Sequence, residues 1–175
     1  MEFEILYAIN NLHNPILDKI MIAITSLGNA GIVWIVIAIG LLLFPKTRKC
    51  GILMSISLLL GLIIGNVVLK NIIARDRPCW IDENIKLLIP IPQDFSFPSG
   101  HTLASFEAAV MIYLHNKKCG ILSFALAVLI AFSRMYLFVH FPTDVLAGMI
   151  LGMGISFTVY YVYNKMKKNR NLKHI

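Results

Sequence analysis

The hydrophobic and polar positions of this chain alternate in long blocks, with apolar runs of 14 to 20 residues separated by polar connections. Residues 51–69, at about 1.5 Å per residue in a helix, are long enough to cross a hydrocarbon core. We therefore predict an all-α fold, a polytopic membrane helical bundle of five to six transmembrane helices. The five predicted spans are 31–44, which could begin as early as residue 23, then 51–69, 101–114, 120–139 and 145–163.

The first 27 residues have a different pattern. Apolar side chains recur there at near-helical spacing among charged and amide residues: Ile5, Ile9, Leu12, Ile16 and Ile20. Such a pattern is typical of an amphipathic segment that lies at the membrane interface. The Asn14-Pro15 pair should divide it into two short helices, because the residue before proline avoids the helical conformation. If residues 1–27 cross the membrane instead, they form the sixth span.

Composition agrees with a membrane protein. Hydrophobic residues make up 58% of the chain, charged residues 14%, and the mean hydropathy is +0.75; soluble globular domains differ in both fractions. At 175 residues we expect one domain, with an interfacial segment 1–27, a bundle 28–165 and a basic cytoplasmic tail 166–175. The N-terminus lacks the basic region and cleavage site of a secretory signal, so we expect no cleavage.

The basic residues are distributed unevenly between the two sides of the predicted bundle. Ten of the sixteen fall on one side, with no acidic residue among them: Lys46, Arg48, Lys49, Lys117, Lys118, Lys165, Lys167, Lys168, Arg170 and Lys173. By the positive-inside rule that side is cytoplasmic. The net charge of +7 is thereby explained by topology in the cell membrane, and no nucleic-acid partner is expected.

The opposite face collects the remaining polar motifs. Successive spans alternate in direction, so the end of span two, the start of span three, the end of span four and the start of span five all meet there. These four points carry residues 70–78, 98–101, 133–134 and 140–144. We expect the four clusters to converge on one site that faces away from the cytoplasm.

The residue types at this face suit the binding of an oxyanion. Ser99 is a good N-cap, so the amides from Gly100 onward point outward at the positive end of a helix that carries His101. A charge near the membrane boundary is costly when unpaired, which favours an anionic partner. Three cations occupy such positions: Lys70, Arg77 and Arg134. Each feature alone also has a simpler explanation, as a plain capped helix or as a cation that snorkels to the interface.

His140 and Asp144 are four residues apart, with Pro142 between them. Pro142 suits the first turn of span five, which places His140 before the helix and Asp144 in its first turn. The carboxylate can then accept a hydrogen bond from one imidazole nitrogen and leave the other nitrogen free to attack. The simpler alternative is a surface histidine beside a carboxylate that favours the helix N-terminus.

Together these residues form a three-part signature that resembles the type 2 phosphatidic-acid phosphatase family. The first part is Lys70, six residues and Arg77-Pro78, and the second is Pro98-Ser99-Gly100-His101. The third is Ser133-Arg134, five residues, His140, three residues and Asp144. Every position of the signature is filled, in order, whereas the N-terminal part lacks the clear additional transmembrane helix of larger members.

The resemblance implies a role for each of these residues. His140 would be the nucleophile, Asp144 would orient it, and His101 would protonate the leaving group. The phosphate would be held by the following groups: Lys70, Arg77, Arg134, Ser99 and the amide of Gly100. The implied reaction is hydrolysis of a phosphoester or pyrophosphate through a phosphohistidine, with cations stabilising the transferred phosphoryl group.

No metal or other cofactor is expected. The converging clusters hold only two carboxylates, Asp76 and Asp144, and metal-assisted hydrolysis usually needs more oxygen ligands. A phosphate on a membrane lipid could reach a site at headgroup level laterally, and similar members of the family act on undecaprenyl pyrophosphate, phosphatidylglycerol phosphate or phosphatidic acid. The rival classes are a lipid or small-anion transporter and a non-catalytic lipid-binding protein, although the broken helices and repeats of many transporters are not evident.

Two further features have open interpretations. The connection 79–97 is either a greasy lid over a lipid tail or an interfacial loop with an aromatic anchor. Glu107 lies inside span three, about 120° around the helix from His101, and we expect it to make a structural hydrogen bond to a neighbouring span. Arg75 and Asp76 are expected to pair with each other or with Arg77.

Overall fold

The computed structural model describes residues 1–172, and the regular elements of this part are all helical. The predicted all-α fold is confirmed. The helices are α1 (Glu2–Asn10), α2 (Pro15–Leu27), α3 (Ile32–Leu43), α4 (Arg48–Gly61), α5 (Lys70–Ile73), α6 (Pro78–Ile81), α7 (Gly100–His115), α8 (Lys117–Tyr136) and α9 (Pro142–Leu172). The predicted basic tail continues α9 as far as Leu172, and its last part, with Lys173, lies outside the described residues.

The predicted break at Asn14-Pro15 separates α1 from α2. The Asn14 side chain caps α2 because its Oδ1 accepts hydrogen bonds from the amides of Ile16 and Leu17, at 3.2 and 2.9 Å. Pro15 occupies the first helical position, where its missing N–H costs nothing. This boundary was predictable because all of its determinants are local.

The predicted extension of span one back to residue 23 is not a continuous helix. A short 3₁₀ turn, Asn29–Gly31, separates α2 from α3, and the two helices are bent by 45°. Ala30 and Gly31 both have positive φ, 51° and 67°. A left-handed backbone interrupts the helical hydrogen-bond ladder, so the apolar run 15–43 becomes a bent pair.

Span two is also irregular. Between α4 and α5 the helix widens into a π-helical segment, Leu62–Leu69, that carries Asn66. Such widened turns are frequent at functional sites because they redirect the side chains on one face. After α5 the chain turns through Ala74, whose φ is 46°, and this turn leads into α6 and the long connection to α7.

Three helical stretches are long and apolar enough to cross a membrane: Arg48–Ile81, Lys117–Tyr136 and Pro142–Asn171. The bent pair of α2 and α3 makes a fourth if it counts as one span. Helix α7, at 16 residues, is shorter than these stretches. A membrane protein is therefore supported, whereas the total of five to six crossings stays a prediction.

Helix α7 forms the centre of the bundle and packs between α8, α9 and α4. Its buried side chains include Ala108 and Ala109, which have no exposed surface. Glycines of α9 let the two helices approach closely, since a Cβ on Gly148 would come 2.7 Å from the carbonyl oxygen of Ser99. By contrast, large apolar side chains lie exposed on the outer faces, including Val36, Leu59 and Leu122, as suits helices that face lipid.

Candidate active site

A cavity of about 800 Å³ lies between the ends of the helices and brings most of the predicted site residues together. The predicted residues that line it are Lys70, Arg77, Gly100, His101, Arg134 and His140. Ser99 and Asp144 lie behind its wall, where both are fully buried. The ends of α5, α7, α8 and α9 therefore contribute to one site, as helix parity requires.

His140 lies in the tight turn between α8 and α9. This turn begins as α8 ends at Tyr136, and Phe138 adopts a left-handed φ of 57°. The His140 side chain is almost completely buried, and its Nε2 atom lies 3.1 Å from Nη1 of Arg77. A guanidinium group only donates hydrogen bonds, so Nε2 is the acceptor and carries the lone pair. The proton of the neutral ring is therefore on Nδ1.

The electrostatic surroundings keep this imidazole neutral. Burial lowers the pKa of His140 well below its usual value, and the positive charges of Arg77, Arg134 and Lys70 act in the same direction. A neutral imidazole has a lone pair at physiological pH, which is the form that a nucleophile requires. The same cations that are predicted to hold a phosphate therefore also favour the neutral form of His140.

Asp144 supports His140 less directly than predicted. Its Oδ2 atom is 3.6 Å from Nδ1 of His140, which is too long for a direct hydrogen bond. The hydroxyl of Ser96 bridges the two groups, because it donates to Oδ2 at 2.5 Å and lies 3.4 Å from Nδ1. The amide of Phe141 also donates to Oδ2, at 2.8 Å. Ser96 is a site residue that the sequence pattern did not identify.

Asp144 is held on its other side by Arg75. The Nη1 atom of Arg75 donates to Oδ1 of Asp144 at 2.7 Å, and Nη2 donates to Glu2 at 2.6 Å. Glu2 in turn accepts a hydrogen bond from the Thr143 hydroxyl at 2.6 Å. The predicted pairing of Arg75 with Asp76 is therefore replaced by one that ties α1 to the start of α9.

Asp94 was not predicted, yet it occupies the centre of the cation cluster. Its carboxylate accepts a hydrogen bond from Lys70 Nζ through Oδ2, and one of 2.7 Å from Arg77 Nη2 through Oδ1. Burial would raise the pKa of Asp94, but the hydrogen bond and charge of Lys70, followed by those of Arg77, hold it at about 2. Asp94 is therefore an anion at any ordinary assay pH, and it is bonded to two of the cations that are predicted to hold the phosphate.

We expect Asp94→Asn to lower KM about fivefold, because the neutral amide competes less strongly with the substrate phosphate for Lys70 and Arg77. This carboxylate is more than half exposed, so its ion pairs are screened and the expected effect is modest. The measurement is a steady-state titration with a soluble lipid phosphate. Asp76→Asn, which removes the same charge from an exposed position, is the matched control. A higher KM in Asp94→Asn would show that Asp94 positions the cations instead.

His101 is the first histidine of α7 and faces the kink between α2 and α3. Its Nε2 atom lies 3.1 Å from Oδ1 of Asn29, an oxygen that accepts the imidazole proton. A Cβ on Gly28 would come 2.6 Å from Cδ2 of His101, so this glycine lets the kink approach the ring. Asn29 is a second site residue missed in the sequence, since only the bend in the chain brings it to α7.

Ser99 caps α7 as predicted. Its hydroxyl oxygen accepts a hydrogen bond from Thr102 Oγ1 at 3.0 Å and a longer one from the Thr102 amide at 3.5 Å. This geometry turns the hydroxyl into the helix start and away from the cavity wall. A phosphate-binding role for Ser99 would need a different side-chain rotamer, whereas Gly100 already lines the cavity.

Arg134 is only 4% exposed and lines the cavity from the last turn of α8. Its Nη1 atom donates to the hydroxyl of Thr25 on α2, while Nε is buried without a partner among the described residues. Because Arg134 is buried, its side chain does not extend to the membrane interface as a snorkelling cation would. An arginine held in this way presents unused donors to an anion in the cavity.

The cation-rich site has few groups that could bind a metal ion. Within residues 1–172 the structure contains no cluster of three or more His, Cys, Asp or Glu side chains arranged to hold one. The carboxylates that lie near the two histidines, Asp94 and Asp144, are both bonded to basic side chains.

This chain is similar to proteins of a known family. The model of the PAP2 superfamily matches residues 51–168. An undecaprenyl-diphosphatase of Sulfolobus acidocaldarius is 39% identical over 155 residues, which cover 88% of this chain and 74% of the relative. The crystal structure of Aquifex aeolicus LpxE has a TM-score of 0.82 at 28% identity, and the match covers 91% of this chain and 94% of that one. The PAP2-type phosphatidylglycerolphosphate phosphatase of Bacillus subtilis has a TM-score of 0.76 at 33% identity, over 93% and 84%.

Proposed function

This chain belongs to the PAP2 superfamily, and we propose that it hydrolyses a lipid phosphate or pyrophosphate without a metal ion, through a phosphohistidine. The predicted family and the predicted class of phosphatase are confirmed by the relatives. The observation that carries the proposed mechanism is the buried His140, which lines one cavity together with three cations and whose Nε2 atom accepts a hydrogen bond from Arg77.

The reaction begins when the phosphate replaces the Asp94 carboxylate at Lys70 and Arg77. Arg134 and the amide at Gly100 complete the set of donors for the phosphate oxygens. As Arg77 turns from His140 to the phosphate, it frees Nε2 of His140, which then attacks phosphorus as the bond to the leaving oxygen breaks. His101 gives this oxygen a proton, and the product alcohol or phosphate departs.

Water completes the cycle by attacking the phosphohistidine. The deprotonated His101 takes a proton from this water, which restores the acid, and inorganic phosphate leaves with the P–N bond electrons returned to Nε2. Through both steps the bridge from Nδ1 over Ser96 to Asp144 stabilises positive charge on the His140 ring.

The candidate substrates are undecaprenyl pyrophosphate, phosphatidylglycerol phosphate and phosphatidic acid. The cavity that holds the cations also has an apolar wall, which includes Ile35, Leu58 and Leu62. This apolar wall can contact a lipid tail, whereas a small soluble anion would gain nothing from apolar contacts. A transporter or binding protein would not need His140, Ser96 and Asp144 in one hydrogen-bonded series.

We expect phosphate release from these lipids in detergent to persist in excess chelator and to be blocked by vanadate. The reason is that cations and a histidine replace the metal, while vanadate imitates the transferred phosphoryl group. The measurement is inorganic phosphate released from the three purified lipids, with and without chelator. Activity that disappears on chelation and returns with a divalent ion would contradict the metal-free mechanism.

We further propose a multi-pass protein of the cell membrane with residues 1–27 at the interface, a basic cytoplasmic end and an extracytoplasmic active site. The support is the one-sided distribution of basic residues. The site residues lie at the opposite ends of the same helices.

This topology predicts which cysteines react with a membrane-impermeant thiol reagent in intact cells. Native Cys119 is exposed at the start of α8 and should be protected, whereas a cysteine introduced by Glu83→Cys in a Cys119→Ala background should be labelled. Cys50 and Cys79 are buried and contribute little background. Labelling of Cys119 but not of residue 83 would reverse the topology. Permeabilised cells control for accessibility.

A further inference from the structure

The cavity extends beyond the catalytic groups into the interior of the bundle, where it meets two polar side chains that the proposed mechanism does not use. These are Asn66 on the π-helical segment and Glu107 on α7. Both carboxyl oxygens of Glu107 and the Oδ1 atom of Asn66 are buried without a hydrogen-bond partner among residues 1–172. The structural hydrogen bond predicted for the Glu107 side chain is therefore not formed; only its backbone carbonyl is bonded, to Ser156 at 3.0 Å.

An unpartnered carboxyl group inside a membrane bundle destabilises the fold, because a buried polar group loses its hydrogen bonds to water and forms no others. The surrounding residues nevertheless make room for this one. A Cβ on Gly61 of α4 would collide with both carboxyl oxygens, and a Cβ on Gly152 of α9 would lie 3.3 Å from Glu107 Cγ. Two glycines thus flank a side chain that an apolar residue could replace without loss of packing.

Asn66 lies between Glu107 and the phosphate site. It precedes Lys70 by one helical turn, and a Cβ on Gly100 would come 2.7 Å from its Oδ1 atom. Glu107 follows His101 by six residues, which is roughly 9 Å along the helix. Lys70, Asn66 and Glu107 therefore follow one another along the cavity, from the phosphate site toward the interior of the bundle. Its other walls include Leu62 and Leu103.

We propose that Asn66 and Glu107 form a second polar subsite, which binds the oxygen-bearing glycerol linkage of a lipid phosphate. This proposal rests on the phosphatase function proposed above and selects among its substrates. In a diacylglycerol phosphate, two ester groups follow the phosphoester within a few bonds, and their oxygens accept hydrogen bonds. The side-chain NH₂ group of Asn66 and, when it is neutral, the carboxyl group of Glu107 can each donate to these oxygens. A prenyl monophosphate has only carbon at that depth and would offer these donors no acceptor.

We therefore expect the enzyme to prefer substrates in which ester groups follow the phosphate. Two phosphate monoesters test this preference, because they differ only in the group attached to the phosphate: dioctanoyl phosphatidic acid and farnesyl phosphate. We expect Glu107→Met and Asn66→Leu each to lower kcat/KM about tenfold for the phosphatidic acid, the loss that one to two good hydrogen bonds produce. The same variants should change kcat/KM for farnesyl phosphate less than twofold. Equal losses on both substrates would overturn the proposal.

Thermal unfolding distinguishes this role from a structural one. Glu107→Met replaces an unpaired carboxyl by an apolar chain of similar length, so we expect its Tm to equal or exceed that of the wild type. Ser57→Ala is the matched control, because Ser57 is also fully buried in α4 with an unpartnered hydroxyl, away from the cavity lining. A clear fall in Tm for Glu107→Met would show that Glu107 holds the bundle together and would refute the subsite.

A binding measurement keeps the test independent of catalysis. Dioctanoylglycerol, which has no phosphate, should raise the Tm of the wild type and should have a smaller effect on Glu107→Met, with farnesol as the lipid control. If the wild type releases phosphate from neither monoester nor from undecaprenyl pyrophosphate but still shows this difference, the phosphatase proposal fails and the subsite stands. If dioctanoylglycerol and farnesol act equally on both proteins, the subsite is refuted whatever the enzyme hydrolyses.

Discussion

His140→Ala is expected to reduce turnover by at least about 10⁴-fold for every substrate, whatever its leaving group, because no phosphoenzyme can form without the nucleophile. In the structure, Nε2 of His140 is the nitrogen that carries the lone pair, and it accepts a hydrogen bond from Arg77 at the cavity. The measurements are phosphate release from lipid and soluble phosphates, and trapping of an acid-labile, base-stable phosphoprotein by rapid quenching. The wild type should accumulate this species and the variant should not.

His115→Ala is the matched control for this experiment. His115 is exposed at the far end of α7, and its loss should leave both turnover and phosphoprotein unchanged. A phosphoprotein in His140→Ala would mean that another residue attacks phosphorus. An unaltered rate would exclude His140 from the reaction entirely.

His101→Ala should have an effect that depends on the leaving group. If His101 protonates the departing oxygen, its loss should cost roughly 10²–10⁴-fold with an alkoxide leaving group. An activated phosphate such as nitrophenyl phosphate should be affected much less, because nitrophenolate leaves without a proton. The hydrogen bond between Nε2 and Asn29 orients the imidazole in the resting structure. The quantity to measure is the ratio of the two rates in the variant and the wild type.

Equal losses on both substrates would contradict the acid role and would leave His101 as a group that positions phosphate at the start of α7. Asn29→Ala refines the result. It should reproduce the leaving-group dependence in a milder form, because it removes the acceptor that orients the imidazole and leaves the acid itself in place.

The local features of this site could be predicted because their determinants lie close together in the chain. Ser99 caps α7 through Thr102, three residues on, and Asn14 caps α2 in the same way. The approach of His140 and Asp144 depends on a spacing of four residues at the start of a helix. Even there the sequence predicted a direct bond, whereas the structure inserts Ser96, which is 44 residues from His140.

The residues that the sequence did not identify all act through long-range contacts. Asp94 and Ser96 belong to an irregular connection without hydrophobic periodicity, and Asn29 belongs to a kink inside an apolar run. Arg75 donates a hydrogen bond to Glu2, which lies 73 residues earlier in the chain. Nothing in the local pattern of these residues distinguishes a ligand of a catalytic group from an ordinary loop residue.

The order of apolar and polar blocks was sufficient for the all-α fold, and residue spacing was sufficient for the signature of the family, since both depend only on short segments of the chain. The cytoplasmic position of the basic residues, which follows from the same order, stays a prediction. Which partner each charge takes could be learned only from the folded chain. The packing of α7 against α4, α8 and α9 sets those distances, and small backbone irregularities at residues 28–31 and 62–69 direct the side chains. For this reason only the folded structure reveals that Asp94 forms ion pairs with Lys70 and Arg77 and that the carboxyl group of Glu107 has no hydrogen-bond partner among the described residues.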